Sequence, residues 1–288
     1  MVFRSSALTG VWGPMRAAWV MGALLAFGAC GDDGASGGEV AVDVAGGDAE
    51  LAGDMAQEAT SEVAVEVDSA AVESEASGET SSGPAPGFGV ISGDCGFVAG
   101  ELGSAAPSLY VNHYDFGSDP YDEGDLAKLT EGGREILRDG NAGGSSILSE
   151  VFAFEMLARC DGAVLLKTET EVIYDVAAKI TDMVVVIDGK KVGANPTRAV
   201  GFPFDAPYTV EQAKKILEKK LGDIKSSSET VSADDRWVKQ ILTVFAWSDE
   251  HIAPVETAWN ATDPVLRADT LVIVTVTDGD DLFIYSND

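Results

Sequence analysis

Two histidines and three cysteines are all that this chain of 288 residues offers for soft-metal chemistry, and cationic side chains are scarce, with 19 Lys and Arg against 48 Asp and Glu. A histidine-rich zinc centre is excluded, because His113 and His251 stand far apart and neither sits in a ligand-spaced motif. The formal net charge of −29 argues against nucleic acid backbones and anionic lipid as partners, and suits a cation or a basic protein. It suits solubility alone equally well. Apolar runs are short too. The run from Ala17 to Ala29 is thirteen residues long, and crossing a bilayer as a helix takes about 20.

That run follows Arg4 and Arg16 and stops at Cys30, after which come Gly31, Asp32 and Asp33. It reads as an export leader. Ala26-Phe27-Gly28-Ala29-Cys30 resembles a bacterial lipobox, although Phe27 stands where that family usually has an aliphatic residue. The resemblance implies that residues 1–29 are removed as a lipoprotein signal peptide and that Cys30 is lipidated on its thiol. It implies a place in the bacterial cell envelope, membrane-anchored and either periplasmic or at the cell surface. The competing reading is ordinary signal-peptidase cleavage after Gly28, which releases a soluble protein. Met15 is a second candidate start beside Met1.

Between residues 31 and 87 there are fourteen Asp or Glu and no Lys or Arg, and the stretch closes on Ser81-Ser82-Gly83-Pro84-Ala85-Pro86-Gly87. Charge of one sign with so few aromatics cannot bury enough apolar surface to offset chain entropy, so residues 30–87 read as a disordered acidic linker behind the lipidated Cys30. A flexible chain of this length spans roughly 40 Å.

Residues 88–288 carry the remaining 34 acidic and 17 basic side chains and read as a single globular domain. Cys95 and Cys160 are left as a pair in an oxidising compartment, where they either form a disulfide or stay as two buried thiols. Residues 88–144 read as a loop-rich lead-in. It holds a short strand at Leu109-Tyr110-Val111 and a helix from Leu126 to Leu137 interrupted at Gly132-Gly133. Residues 145–288 read as the core. Ser145 or Ser146 caps a helix with Ile147, Val151, Phe154 and Ala158 on one face, ended by Asp161-Gly162. Four runs follow as strands: Ala163 to Lys167, Glu171 to Val176, Asp182 to Ile187 and Lys191 to Val200, the last two joined by Asp188-Gly189. Thr209-Val210-Glu211-Gln212 opens a second helix that Gly222 stops. A strand at Val238 to Trp247, a helix at His251 to Ala261 and a hairpin of Thr270 to Val276 with Asp281 to Tyr285 complete the chain. The fold class is therefore mixed α and β (α+β): helix, antiparallel strand meander, helix, strand, helix, C-terminal hairpin.

From Ser145 to about Trp247 that order resembles the core of the PD-(D/E)xK nuclease-like superfamily. The resemblance implies an Mg²⁺ site built from a helix glutamate, an aspartate entering the second strand and an acidic-x-lysine on the third, which fall here on Glu150, Asp182 and Pro196-Thr197-Arg198. Arg198 keeps the positive charge, and the third carboxylate is missing. An ion pair between Glu150 and Arg198, with Asp182 as turn chemistry, explains the same residues without a metal. Asp119, Asp122 and Asp125 offer hard oxygen ligands for Ca²⁺, but their spacing fits no EF-hand and a solvated acidic loop is the favoured reading. Gly140, Gly143 and Gly144 lack a phosphate-loop pattern, and no nucleophile elbow surrounds Ser145 or Ser146. Asn260-Ala261-Thr262 fits a glycosylation acceptor, a motif frequent by chance. The sequence thus points to an anchored envelope lipoprotein with a non-enzymatic binding or structural domain, with a metal-dependent phosphodiester hydrolase as the alternative.

Overall fold

A computed structural model describes residues 83–141, 147–204 and 206–286. The leader, the lipobox cysteine Cys30, nearly all of the acidic linker, Gly143, Gly144 and the expected cap at Ser145 or Ser146 lie outside them.

One mixed sheet organises the described residues. Its seven strands are β1 (Val90–Gly93), β2 (Ser108–Asp115), β3 (Val164–Thr168), β4 (Met183–Ile187), β5 (Lys190–Ala199), β6 (Lys239–Ala246) and β7 (Leu271–Asp278), in the order β1-β2-β7-β6-β5-β4-β3. The helices are α1 (Val98–Glu101), α2 (Glu131–Asp139), α3 (Ile147–Asp161), α4 (Val210–Thr230), α5 (Ile252–Ala261), α6 (Pro264–Arg267) and α7 (Leu282–Tyr285). The mixed α and β class stands.

Period-two alternation sends successive residues of the central strands to opposite layers. Ile241, Phe245, Leu271 and Ile273 pack with Phe152 and Leu157 of α3. Their neighbours Leu242, Val244, Val272 and Val274 pack with Leu217 and Leu221 of α4 and with Val255 and Trp259 of α5. Strands β6 and β7 are buried on both sides, which explains why they read as continuous apolar runs.

Four expectations need correction. The sheet is half parallel: β2–β7, β7–β6 and β6–β5 are parallel pairs, and antiparallel pairing is confined to the two flanks. The chain after β7 does not fold back as a hairpin, because β7 already has parallel partners on both edges. Gly279 instead packs on the backbone of Gly117, where a Cβ would meet Gly117 O at 2.2 Å, and Asp281 to Tyr285 turn into α7. Glu171 to Val176 forms no strand; Tyr174 makes an isolated bridge to Val231, and Asp235 accepts from the Ile173 amide at 2.8 Å. Helix α4 runs through Gly222 to Thr230, because Leu221, Ile224 and Ser227 continue its buried side past a glycine that costs about 1 kcal/mol.

The lead-in is also more than loop. It supplies β1, β2, α1 and α2, and β2 pairs with β7 along its whole length. The helix in it breaks at Leu129-Thr130, where Thr130 caps α2, and not at Gly132-Gly133. Those glycines lie inside α2 because α3 passes so near: a Cβ on Gly132 would sit 2.4 Å from the Phe154 ring, and one on Gly133 would sit 2.2 Å from Glu155 Oε1.

The last turn of α3 fastens this N-terminal part with three consecutive residues. Arg159 donates to the carbonyls of Ala85, Phe88 and Gly89 at 2.8, 2.6 and 3.0 Å and to the Tyr114 hydroxyl at 2.9 Å. Its own carbonyl accepts from the Ala85 amide at 2.8 Å. Cys160 forms the expected disulfide with Cys95, and Asp161 accepts from the Val98 amide at 2.8 Å. Ala85, Phe88 and Gly89 are thus held against the end of α3.

Candidate functional site

The run α3, β3, β4, β5, α4, β6 has the order that the nuclease-like resemblance implies. Helices α3 and α4 cover opposite faces of the sheet, so each candidate residue is judged by the face it occupies.

Glu150, in the first turn of α3, is buried, and its Oε1 accepts from Asn141 Nδ2 at 3.2 Å. Burial pushes its pKa up to about 8, helped by the charges of Asp182 and Glu169 and opposed by the Asn141 hydrogen bond and by Lys220. Asp182, just before β4, lies 3.8 Å from Lys220 of α4. Burial raises its pKa to about 6 against the pull of Lys220, and the charges of Glu169 and Asp223 add to the rise. Three carboxyl groups, Glu150, Glu169 and Asp182, therefore share one field, and Lys220 and Lys219 of α4 bring positive charge to Asp182.

Lying on the other face of β5 separates Arg198 from Asp182, but not from Glu150 of α3, whose charge acts on it. Met183 pairs with Ala194, and the Asp182 amide donates to Asn195 Oδ1 at 3.1 Å, so the slot beside Asp182 holds Asn195. Asn195 is buried, donates to Thr181 Oγ1 at 3.0 Å and lies 2.9 Å from the Gln240 amide. By alternation Thr197 shares its face and Arg198 takes the other. Arg198 points to the α3 side, where it donates to Ser149 Oγ at 2.9 Å and to the carbonyls of Tyr285 and Ser286 at 3.1 and 3.4 Å. Ser149 in turn donates to the Ile284 carbonyl at 2.8 Å. Arg198 and Ser149 hold α7 and the residue after it against the sheet.

The structure does not gather the calcium candidates. Asp122 and Asp125 close a capping box on the 3₁₀ turn Glu123–Lys128, and Asp125 pairs with Lys128 at 2.7 Å. Among the described residues, the three carboxylates whose oxygens approach within 4.8 Å of one another are Glu135, Asp139 and Glu171, and none of the sequence candidates is in that group. His113 pairs with Asp249 at 2.9 Å, and His251 is buried against the Tyr208 ring with Nδ1 at 2.9 Å from Ser248 Oγ.

Sequence reasoning missed Glu169, Asn195 and Lys220. Asn195 was accessible to it: the turn at Asp188-Gly189 pairs Ile187 with Lys190, and counting outward reaches Asp182 opposite Asn195. Glu169 and Lys220 belong to elements that meet only in three dimensions.

The burial of Glu150 has a measurable consequence. Its proton is held more tightly in the folded protein than in the unfolded chain, so stability falls as pH rises from about 4.5, where the unfolded chain ionises, to about 8, where the folded one does. The slope for one proton is about 1.4 kcal/mol per pH unit. Urea unfolding at a series of pH values is expected to give this decline for the native protein and a flatter profile over the same window for Glu150→Gln.

No family model matches the chain. It is 40% identical over 152 residues to the "AAC-rich mRNA clone AAC4 protein" of Dictyostelium discoideum, a match that covers 51% of this chain and 22% of that protein, so the chain spans less than a quarter of this relative's length. Among solved structures, SfsA from Pyrococcus furiosus in complex with Ca²⁺ aligns over 46% of this chain and 56% of its own, with a TM-score of 0.24 and 10% identity.

Proposed function

We propose that this protein is an exported lipoprotein, held in the bacterial cell envelope through Cys30, whose domain acts as a non-catalytic binding or structural module on a nuclease-like scaffold. The observation that carries the reading is the register of β5. The position beside Asp182 that would have to supply a metal-binding carboxylate is Asn195, a neutral side chain committed to Thr181 and the Asp182 amide. The nearest cationic candidate in sequence, Arg198, faces the opposite layer and anchors the C-terminal segment. A site with the slot beside Asp182 filled by an amide, and with its arginine on the other face from Asp182, serves structure.

The test has two arms. Mass spectrometry of the N-terminal peptide from detergent-extracted membranes is expected to find Cys30 as the first residue with a lipid adduct; an unmodified Ala29 start overturns the anchored reading. Incubation of the full chain with DNA or RNA and Mg²⁺ is expected to leave the nucleic acid intact.

One observation favours a second reading, a metal-dependent phosphodiester hydrolase. Glu150, Glu169 and Asp182 share one field, and Lys220 at 3.8 Å from Asp182 supplies a cation from α4 in place of the strand lysine. These carboxylates are chemically suited to Mg²⁺, which would polarise a phosphate and activate water, and binding it would displace the Glu150 proton. Cleavage that requires Mg²⁺ and disappears in both Glu150→Ala and Asp182→Ala would establish this reading against the first.

A further inference from the structure

The sheet ends in β1 on one side and β3 on the other, and the two edges differ. β1 has four residues and closes on Gly93 at φ +89, which turns the chain out of an extended path. β3, Val164–Thr168, is paired with β4 alone among the described residues. A strand paired on one side presents amide and carbonyl groups that can accept a further strand, and such edges are commonly guarded by a lysine, a proline or a bulge. β3 has no proline. Its lysine is committed elsewhere, since Lys167 Nζ donates to Asp235 Oδ2 at 2.7 Å and to the Glu171 carbonyl at 3.2 Å. Its register shift falls between Leu165 and Lys167, yet Leu166 there is 42% exposed and Val164 is 65% exposed. Ile173, whose amide donates to the same Asp235 oxygen as Lys167, is exposed as well.

This apolar edge ends in negative charge. Glu171 Oε2 accepts from the amide of Thr168, the last residue of β3, at 2.9 Å. Oxygens of Glu171 and of Glu135 and Asp139 on α2 come within 4.8 Å of one another. Arg138 pairs with Asp139 at 3.3 Å, but among the described residues neither Glu135 nor Glu171 has a basic side chain at ion-pair distance. Glu169, one residue after β3, acts instead on Glu150 and Asp182. Carboxylates held this close repel one another, and a cation placed beside them relieves the repulsion. An unpaired strand asks for extended main chain, and the acids at its end ask for positive charge.

We propose that β3 takes an extended basic peptide as an added strand, with apolar side chains against Val164 and Leu166 and a Lys or Arg reaching Glu135, Asp139 and Glu171. This gives the binding module proposed above a class of partner and rests on that reading. The mass-spectrometric and cleavage experiments that decide that reading use neither β3 nor a peptide, so the two fail separately.

The experiment is fluorescence anisotropy of a short labelled peptide of alternating lysine and valine, titrated with the full chain in detergent. The peptide is expected to bind. A version methylated on every backbone amide keeps its charges and side chains but cannot donate to a strand, and is expected to bind about tenfold more weakly. Glu135→Gln with Asp139→Asn, neutral changes on the surface of α2, is expected to weaken the unmethylated peptide about tenfold and to leave the melting temperature unchanged. Val164→Lys, which sets a like charge on the exposed edge, is expected to weaken it too. Equal binding of the methylated peptide overturns the proposal, because it reports attraction of charge alone. Unchanged binding in the double variant also overturns it, since the acidic residues 31–87 then hold the peptide. Free protein that sediments as a dimer and becomes a monomer in Val164→Lys assigns the edge to a second copy and overturns it. A melting temperature raised by Ca²⁺ or Mn²⁺ and no longer raised in the double variant, with no peptide bound, assigns the carboxylates to a metal and does the same.

Discussion

Replacing Arg159 with methionine is expected to destabilise the domain by roughly 2–4 kcal/mol, read as a lower urea midpoint with an unchanged slope. Arg159 is 6% exposed and donates to three main-chain carbonyls and one hydroxyl. Methionine fills much of the volume and satisfies none of them. Hydrogen bonds from a charged donor contribute about 1.5–3 kcal/mol each where buried, but the sum is smaller here because relief of guanidinium desolvation offsets part of the loss. The Phe88 carbonyl also keeps a second donor, the Tyr114 hydroxyl at 3.0 Å. The guanidinium lies 5.5 Å from the Tyr114 ring centroid, a further contact that methionine replaces only in part. Limited proteolysis supplies a local readout: residues 83–89 become cleavable in the variant under conditions where the native protein is resistant. A midpoint shift worth less than about 1 kcal/mol would show that the carbonyls find other donors and that Arg159 is not what holds the segment.

Removing the disulfide, by Cys95→Ser with Cys160→Ser, is expected to cost about 4 kcal/mol, the chain-entropy value for closing a loop across a sequence separation of 65. For a domain of this size that corresponds to a melting temperature lower by roughly 8–16 °C. The loop it closes contains α1, β2, α2 and most of α3, so the cross-link restricts the part of the chain that must find β7 from a distance. The double variant is expected to keep the same folded-state spectrum, because Asp161 still holds Val98 and β2 still pairs with β7. A melting temperature that does not change, or that falls equally when reductant is added to the serine variant, would remove the cross-link as a source of stability. Adding Arg159→Met to the serine variant should give a non-additive loss, since Arg159 and Cys160 hold neighbouring parts of one segment.

Both effects come from a stretch that the sequence portrays only in part. The pairing of Cys95 with Cys160 was legible, because the lipobox resemblance sets Cys30 aside and leaves those two cysteines. The clamp by Arg159 was not, because main-chain carbonyls leave no trace in a sequence and Arg159 is separated from Ala85 by the whole lead-in. Local chemistry was read well. The Thr209–Gln212 capping box, Pro254 in the first turn of α5 and the Asp188-Gly189 turn are set by residues that touch their near neighbours. What failed was non-local. Asp278-Gly279-Asp280 has the composition of a hairpin, yet β7 is flanked by parallel strands, and that is decided by partners at Leu109 and Leu242. Glu171 to Val176 has the composition of a strand, yet Tyr174 bridges Val231 after α4 and the segment joins no strand of the sheet. At the candidate site the residue types were found, but the position beside Asp182 is Asn195, three residues before Arg198 and on the other face of β5, and that changes the chemistry available to Asp182.

Arg159, Cys160 and Asp161 gather three adjacent fastenings of the N-terminal part at the far end of one helix. Should the chain be pulled from its leading end, the load would enter through residues 85–89 and pass along the axis of α3 before reaching β1. Tension would then stretch several short bonds together instead of opening strand pairs one at a time, which is how a mooring differs from a zip.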